Sequence, residues 1–257
     1  MTDMARFSNF TFDEAGVYIR NLANNADELG ICAYCFPDNY ELAGREFVID
    51  CGCCEHILTW KAPRHAAFDG VVCDTYVIKQ EDDIYIARLG AVCAVLDLSN
   101  GQAALVIGDD VLPGVIKGMG TQAPAFAAEE MVETNVDWVM GVGRYLNQHF
   151  VSAEKLTSCW SPNAGEAQGS GYAPVCPESK VQENLYKAVK FRDSFYLVVQ
   201  EHKDCKEVCA PFGTRRVVLL EDYERCMASG AVMGKGFDPM MVTGYARFIG
   251  QSKQDIL

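Results

Sequence analysis

The sequence predicts an all-β protein: two antiparallel β-barrel repeats behind a short N-terminal helical arm. Three observations carry this. Short runs rich in β-branched and aromatic residues follow one another from about residue 42, broken by Gly, Asn and Asp turn signals. The second half repeats the first in order. The 257 residues suffice for two cores of ordinary size, and 49% of them are hydrophobic against 22% charged, an ordinary globular balance.

The repeat shows in four matches. Gly44-Arg45 precedes Trp60 in "LTW", and Gly143-Arg144 precedes Trp160 in "LTSCW". "DTYVIKQEDDIYIA", with Tyr76 and Tyr85, has its counterpart in "ENLYKAVKFRDSFYLV", with Tyr186 and Tyr196. "VLDL…VIG" (95–108) matches "VVLLEDY…VMG" (217–234). Four matches in one order indicate duplication. Short strands joined by tight turns suit a meander that closes on itself.

In chain order, residues 1–41 form the arm. Thr11 and Glu14 have capping-box spacing, and Val17, Tyr18 and Leu22 follow at helical intervals. Residues 42–113 form the first barrel repeat, with strands over "REFVID", "EHILTW", "VVCDTYVIK", "IYIARL", "AVCAVLDL" and "AALVIG". Residues 114–135 are a linker: "GVIKGMGTQAPA" is rich in Gly and ends near Pro124, and a short helix follows over "FAAEEMVE". Residues 136–250 form the second barrel repeat.

"GREFVIDCGCCEHILTW" reads as a hairpin with Gly52-Cys53 at a type II′ turn. Cys51 then faces Cys54, Asp50 faces Glu55, Ile49 faces His56 and Phe47 faces Leu58. Alternation places Phe47, Ile49, Cys51, Cys54, His56, Leu58 and Trp60 on one face, the more apolar, which points inward. His56 would enter the lumen.

Net charge is −13 and no basic run occurs, which argues against nucleic acid and anionic membrane surfaces as partners. "MTDMARFSNFTFDEAG" has no apolar core for a signal peptide, and the weakly charged run 89–108 is a hairpin turning at Asn100-Gly101, so a cytoplasmic location is expected. The twelve cysteines are then expected as free thiols. Cys32-x-x-Cys35 has zinc-like spacing and could join Cys51, Cys53 or Cys54, but C-x-C-C in a tight turn is a poor second half of such a site, so no metal is expected. Cys205 and Cys209 read as part of a surface loop. No Cys–His pair stands out as a nucleophile dyad. "GMG" and "GSG" lack the strand–loop–helix setting of a phosphate loop, and no G-x-S-x-G or H-E-x-x-H occurs, so no cofactor is expected.

The order of these motifs resembles the MoaF family, described as molybdenum cofactor biosynthesis protein F. The resemblance rests on "LAGREFVID" and "DTYVIKQEDDIYIA…AVLDLSNGQAALVIG" in the first half, and on "YKAVKFRDSFYLVVQEH", "RRVVLLEDYERC" and "GAVMG" in the second. It covers roughly residues 42–110 and 140–235. It implies two consecutive calycin-like (lipocalin-related) barrels and a link to molybdenum cofactor formation.

A small barrel with an inward apolar face holds one small ligand. The first expectation is therefore binding of a small apolar or aromatic molecule in the first barrel, lined by Phe47, Ile49, Leu58 and Trp60, with Trp160, Tyr186 and Glu201 as the candidates in the second. The alternative is a cofactor-free lyase or isomerase acting on a phenolic or carboxylic substrate. Its chemistry would come from His56 moving protons, Asp74 and Tyr76 sharing a strand face to polarise an acid or phenol, and Arg88 forking onto a carboxylate. Calycin-like phenolic acid decarboxylases supply the fold analogy. A third reading is a solidly packed pair of barrels serving as an interaction protein. Oligomeric state is left open.

Overall fold

The chain forms two closed eight-stranded antiparallel barrels packed back to back. The computed structural model describes residues 38–81, 83–140, 144–161, 182–201, 214–234 and 240–251. The helix expected near residues 11–22 lies outside these residues. The first barrel is β1 (Glu46–Asp50), β2 (Glu55–Ala62), β3 (His65–Phe68), β4 (Val71–Glu81), β5 (Ile84–Leu89), β6 (Val92–Asp97), β7 (Gln102–Ile107) and β8 (Asp110–Ile116). Each strand pairs with the next, and β1 pairs with β8 through Ile49↔Ile116 and Asp50↔Val115, so no sheet edge is left open.

The second barrel is β10 (Thr134–Met140), β11 (Arg144–Phe150), β12 (Lys155–Ser161), β13 (Gln182–Arg192), β14 (Phe195–Glu201), β15 (Thr214–Asp222), β16 (Met227–Gly234) and β17 (Met240–Gln251). It closes through β10–β17 and β12–β13, and the two-residue β9 (Ala125–Phe126) adds to β13. The first strand of this barrel, β10, precedes Gly143-Arg144, where the sequence matches between the halves begin. The stretch expected as a linker is partly built into the barrels: Gly114–Ile116 closes the first, and a helical turn, α1 (Ala128–Met131), packs Met131 into the core of the second.

Matching irregularities support the duplication. A β-bulge breaks the register between Lys79 and Glu81 in the first repeat, and another does so between Lys190 and Arg192 in the second. The turns that follow place Asp83 and Ser194 at φ 58 and 61. Further on, Asp97 and Asp222 each accept backbone N–H groups of the next turn. A Glu–Tyr–Lys latch also recurs. Glu41 Oε2 accepts from Lys79 Nζ at 2.8 Å and Tyr85 OH at 2.5 Å, and Glu130 Oε2 accepts from Lys190 Nζ at 2.8 Å and Tyr196 OH at 2.9 Å. The residue after each glutamate, Leu42 or Met131, is buried in its barrel's core.

This register corrects one sequence match. Tyr85 pairs with Lys79 and Tyr196 with Lys190, so Tyr186 corresponds to Thr75, not Tyr76. A slip of one residue exchanges the two faces of a strand.

Three cores result. One fills the first barrel, around Phe47, Ile49, Leu58, Trp60, Tyr85, Leu96 and Leu105. Another lines the second, around Val136, Trp138, Phe150, Tyr186, Val198 and Leu219. The third lies between the barrels and joins the outer faces of β5–β7 (Ile86, Val95, Val106) to those of β13–β15 (Val189, Leu197, Leu220). This explains why strands β5, β6 and β14 are buried along almost their whole length and mostly apolar, Arg88, Asp97, Gln200 and Glu201 apart: both faces of those strands are covered. Arg192 pairs with Asp97 at 3.1 Å and Glu81 at 3.5 Å, and Arg225 pairs with Glu81, at the edge of this interface.

Candidate functional site

The β1–β2 hairpin pairs Phe47 with Leu58, Ile49 with His56 and Asp50 with Glu55, and the Cys51 N–H donates to the Cys54 carbonyl at 2.9 Å across a turn with Gly52 at φ 79. Phe47, Ile49, Leu58 and Trp60 are packed in the first barrel's core, Phe47 edge-on to Trp60 at 5.9 Å. Trp60 Nε1 donates to Thr75 Oγ1 at 3.3 Å. His56 shares their face but stands at the open end, where its Nδ1 lies 2.8 Å from Asp69 Oδ2.

The other catalytic candidates do not enter the lumen. Thr75 and Val77 take the inward positions of β4, so Asp74 and Tyr76 point outward. Arg88 shares the outer face of β5 with Ile84 and Ile86, and its guanidinium lies 4.8 Å from the Tyr76 ring centroid. Arg64 covers the same ring at 4.2 Å. Because the second barrel buries this outer face, apolar neighbours there imitate an inward face. Glu201 is likewise outside, 3.6 Å from Arg216. Tyr186 does point inward, but its hydroxyl donates to the carbonyls of Ala128 and Ser152, both at 2.9 Å, and so fixes α1. Trp160 pairs through its backbone with Leu146; its side chain lies outside the described residues.

The polar interior lies in the second barrel. Trp138 Nε1 donates to Gln148 Oε1 at 2.8 Å, Gln148 Nε2 to Gln200 Oε1 at 3.1 Å, and Gln200 Nε2 to Ser158 Oγ at 2.5 Å. Asn184 Nδ2 reaches the same Ser158 Oγ at 2.8 Å. Glu221 is fully buried beside this chain, accepts from Tyr223 OH at 2.6 Å through Oε2, and keeps an unpartnered Oε1. Burial pushes its carboxyl up to about 8, against the opposing pull of Tyr223 and Gln148. Trp138 and Tyr223 stack at 6.0 Å, with Tyr196 next to Tyr223 at 5.9 Å.

The register gives each of these polar residues an apolar or thiol counterpart in the first barrel. Gln200 stands where Leu89 does, Glu221 where Leu96 does, Tyr223 where Leu98 does and Asn184 where Cys73 does. With Trp60 and Trp160 matched, Ser158 stands at Leu58 and Gln148 at Phe47. The fold therefore closes on apolar side chains at these positions. This comparison between halves was the sequence signal that could have located the site.

Among the described residues, no group of three or more His, Cys, Asp and Glu side chains is arranged to hold a metal ion. Cys32, Cys35, Cys205 and Cys209 lie outside those residues. Among the described residues, no helix is long and apolar enough to cross a membrane. The sequence matches no protein-family model, and no curated protein is similar to it at a significant level.

Proposed function

We propose that the protein binds a small planar ligand in the second barrel. The ligand would carry hydrogen-bond donors and acceptors on its edge and aromatic character on its faces. The observation that carries this reading is the buried set Gln148, Ser158, Asn184, Gln200 and Glu221, at positions the first barrel fills mostly with apolar side chains. Buried polar groups cost stability relative to well-packed hydrophobes, and a carboxyl oxygen without a partner costs more. A ligand that hydrogen-bonds Glu221 and the glutamine pair offsets that cost. Trp138, Tyr196 and Tyr223 supply aromatic walls. A heteroaromatic ring of pterin type has the right edge chemistry, in keeping with the resemblance to the MoaF family and the link to molybdenum cofactor formation that it implies, and with a cytoplasmic setting.

A second reading rests on Glu221 itself. A carboxyl that titrates near 8 is poised to give and take a proton at neutral pH, as a cofactor-free lyase or isomerase requires.

Native mass spectrometry of freshly purified protein, followed by denaturation and identification of released compounds, tests the binding. The variant Glu221→Leu installs the first barrel's residue at this position and should fold but release the compound. Retention of the same compound by folded Glu221→Leu would refute the assignment. Turnover of a phenolic acid, lost in Glu221→Gln, would favour the second reading.

A further inference from the structure

At the open end of the first barrel, three side chains outside the proposed ligand site form a relay. Cys54 and His56 are two residues apart on one face, and Cys54 Sγ lies 3.4 Å from His56 Nε2. His56 Nδ1 lies 2.8 Å from Asp69 Oδ2, and the other oxygen of Asp69 accepts the Ile57 N–H at 2.7 Å. The imidazole stacks on Phe68, with ring centroids 5.2 Å apart. Asp69 occupies the left-handed region at φ 49 in the β3–β4 turn, where Gly70 follows at φ 80. The ring is thus oriented by a carboxylate and an aromatic face, the arrangement that makes a base of a histidine beside a nucleophile. Cys53 and Cys54 are exposed, and their sulfurs are 3.4 Å apart.

We propose that this cluster is a thiol–disulfide exchange site. Cys54 is the attacking thiol, His56 its proton acceptor, Asp69 the residue that positions the imidazole, and Cys53 the resolving thiol. The substrate class is a low-molecular-weight disulfide. Two adjacent thiols favour this chemistry over acyl transfer, which needs only one. The hydrogen bond with Cys53, then desolvation and the nearby Cys53, Asp69 and Asp50, hold the Cys54 thiol above its ordinary value, so attack needs a base and His56 provides one. Cys51 and Cys93 are pushed by burial to about 11 and about 12.

In the first step the Cys54 proton passes to His56 Nε2, the sulfur attacks RSSR, and a Cys54–SR bond forms as the RS–SR bond breaks. The leaving thiolate takes the proton from the imidazolium and departs as RSH. In the second step the Cys53 sulfur attacks Cys54 Sγ, a second RSH leaves, and Cys53–Cys54 is joined. The protein dithiol loses two electrons and RSSR gains them. A disulfide between adjacent residues closes a strained ring, so a dithiol reductant reopens it readily.

Glutathione disulfide added to the full-length reduced protein tests this, read by intact mass and peptide mapping. Wild type should lose two hydrogens without accumulating an adduct. Cys53→Ser should stop at one glutathione on Cys54. His56→Gln should slow the first step about 100-fold at neutral pH. In the Cys53→Ser background the pH–rate profile should differ from that of thiol ionisation alone, and His56→Gln should abolish the difference while Asp50, Asp69 and Cys51 remain in place. Asp69→Asn should shift the profile and keep the adduct at Cys54. The proposal is overturned if Cys54 reacts no faster than Cys53 does in Cys54→Ser, or if the wild-type profile follows thiol ionisation alone. A His56→Gln protein that keeps its circular dichroism and its rate would do the same.

Discussion

Glu221 makes the stability of the protein depend on pH in a direction opposite to that of most carboxylates. Its folded value is about 8, against an ordinary value of 4.5. Below about pH 4.5 both states are protonated, and the contribution to stability is fully present. Above that the unfolded chain ionises first, so the folded state binds the extra proton. Stability then falls by about 1.4 kcal/mol per pH unit until the folded carboxyl itself ionises near 8. The full span is about 5 kcal/mol, most of it, about 3–4 kcal/mol, lost between about pH 5 and pH 8. The perturbation is Glu221→Gln, which keeps the size of the side chain and removes the titration. Guanidinium unfolding of both proteins across this range is the assay, with the difference in free energy as the readout, because subtraction cancels the remaining titrating groups, Asp222 included. The variant should gain on wild type by about 3–4 kcal/mol from the acid end to the alkaline end. Parallel curves, within about 0.5 kcal/mol of a constant offset, would refute the claim that Glu221 is buried and protonated in the folded protein.

Replacing Gln200 and Glu221 together by leucine, as in the first barrel, should raise the melting temperature through a gain of about 1–3 kcal/mol, while ligand carry-through is lost. Gly230→Ala should destabilise by about 3 kcal/mol or more in a denaturant titration, since its Cβ would lie 1.9 Å from the Val218 carbonyl oxygen on the paired strand and neither is free to turn away. Arg192→Met leaves the fully buried Asp97 with only its local turn donors and should cost about 3 kcal/mol at neutral pH. Burial opposes ionisation of Asp97, but hydrogen bonds from Arg192, Ser99 and Asn100 outweigh it and hold the carboxyl below its ordinary range. Its contribution is therefore present above the ordinary carboxylate value and lost as pH falls through the lowered one, so the gap between wild type and Arg192→Met should narrow in acid.

Local signals carried the fold. The hairpin at Gly52-Cys53 was legible to the residue, because Gly suits the turn and the flanking strands alternate cleanly. Inward and outward faces failed at β4 and β5. Alternation distinguishes faces only where one side meets water, and the second barrel removes water from the outer side of β5, so Arg88 beside Ile86 read as a lumen residue. The Tyr76–Tyr186 match failed for a related reason: aromatic identity drew the two together, whereas the bulge and the Tyr–Lys pair set the register one residue away. The polar interior of the second barrel is not legible strand by strand, because Gln, Ser and Asn inside strands read as solvent-facing when each strand is taken alone. The Cys54–His56–Asp69 relay was half visible as two residues two apart, but its third member comes from a turn whose position only the tertiary structure supplies.

The two barrels serve as controls for each other. Both are latched by a glutamate, a tyrosine and a lysine, both carry a bulge after that lysine, and both meet through matching strands, so the shared features belong to folding. The differences are concentrated in two places. The interior exchanges Leu89, Leu96 and Leu58 for Gln200, Glu221 and Ser158, a change that weakens packing and adds hydrogen-bonding capacity. The loop between the first two strands of the repeat exchanges Val151–Glu154 for Cys51–Cys54, and His56 and Asp69 accompany the thiols. Neither difference helps a barrel to close. A strained aspartate in a turn and a protonated carboxyl in a core both work against stability, and each stands among side chains whose chemistry gives it a use. The asymmetry between the halves is the ground on which we propose ligand recognition in the interior of the second barrel and thiol chemistry at the rim of the first.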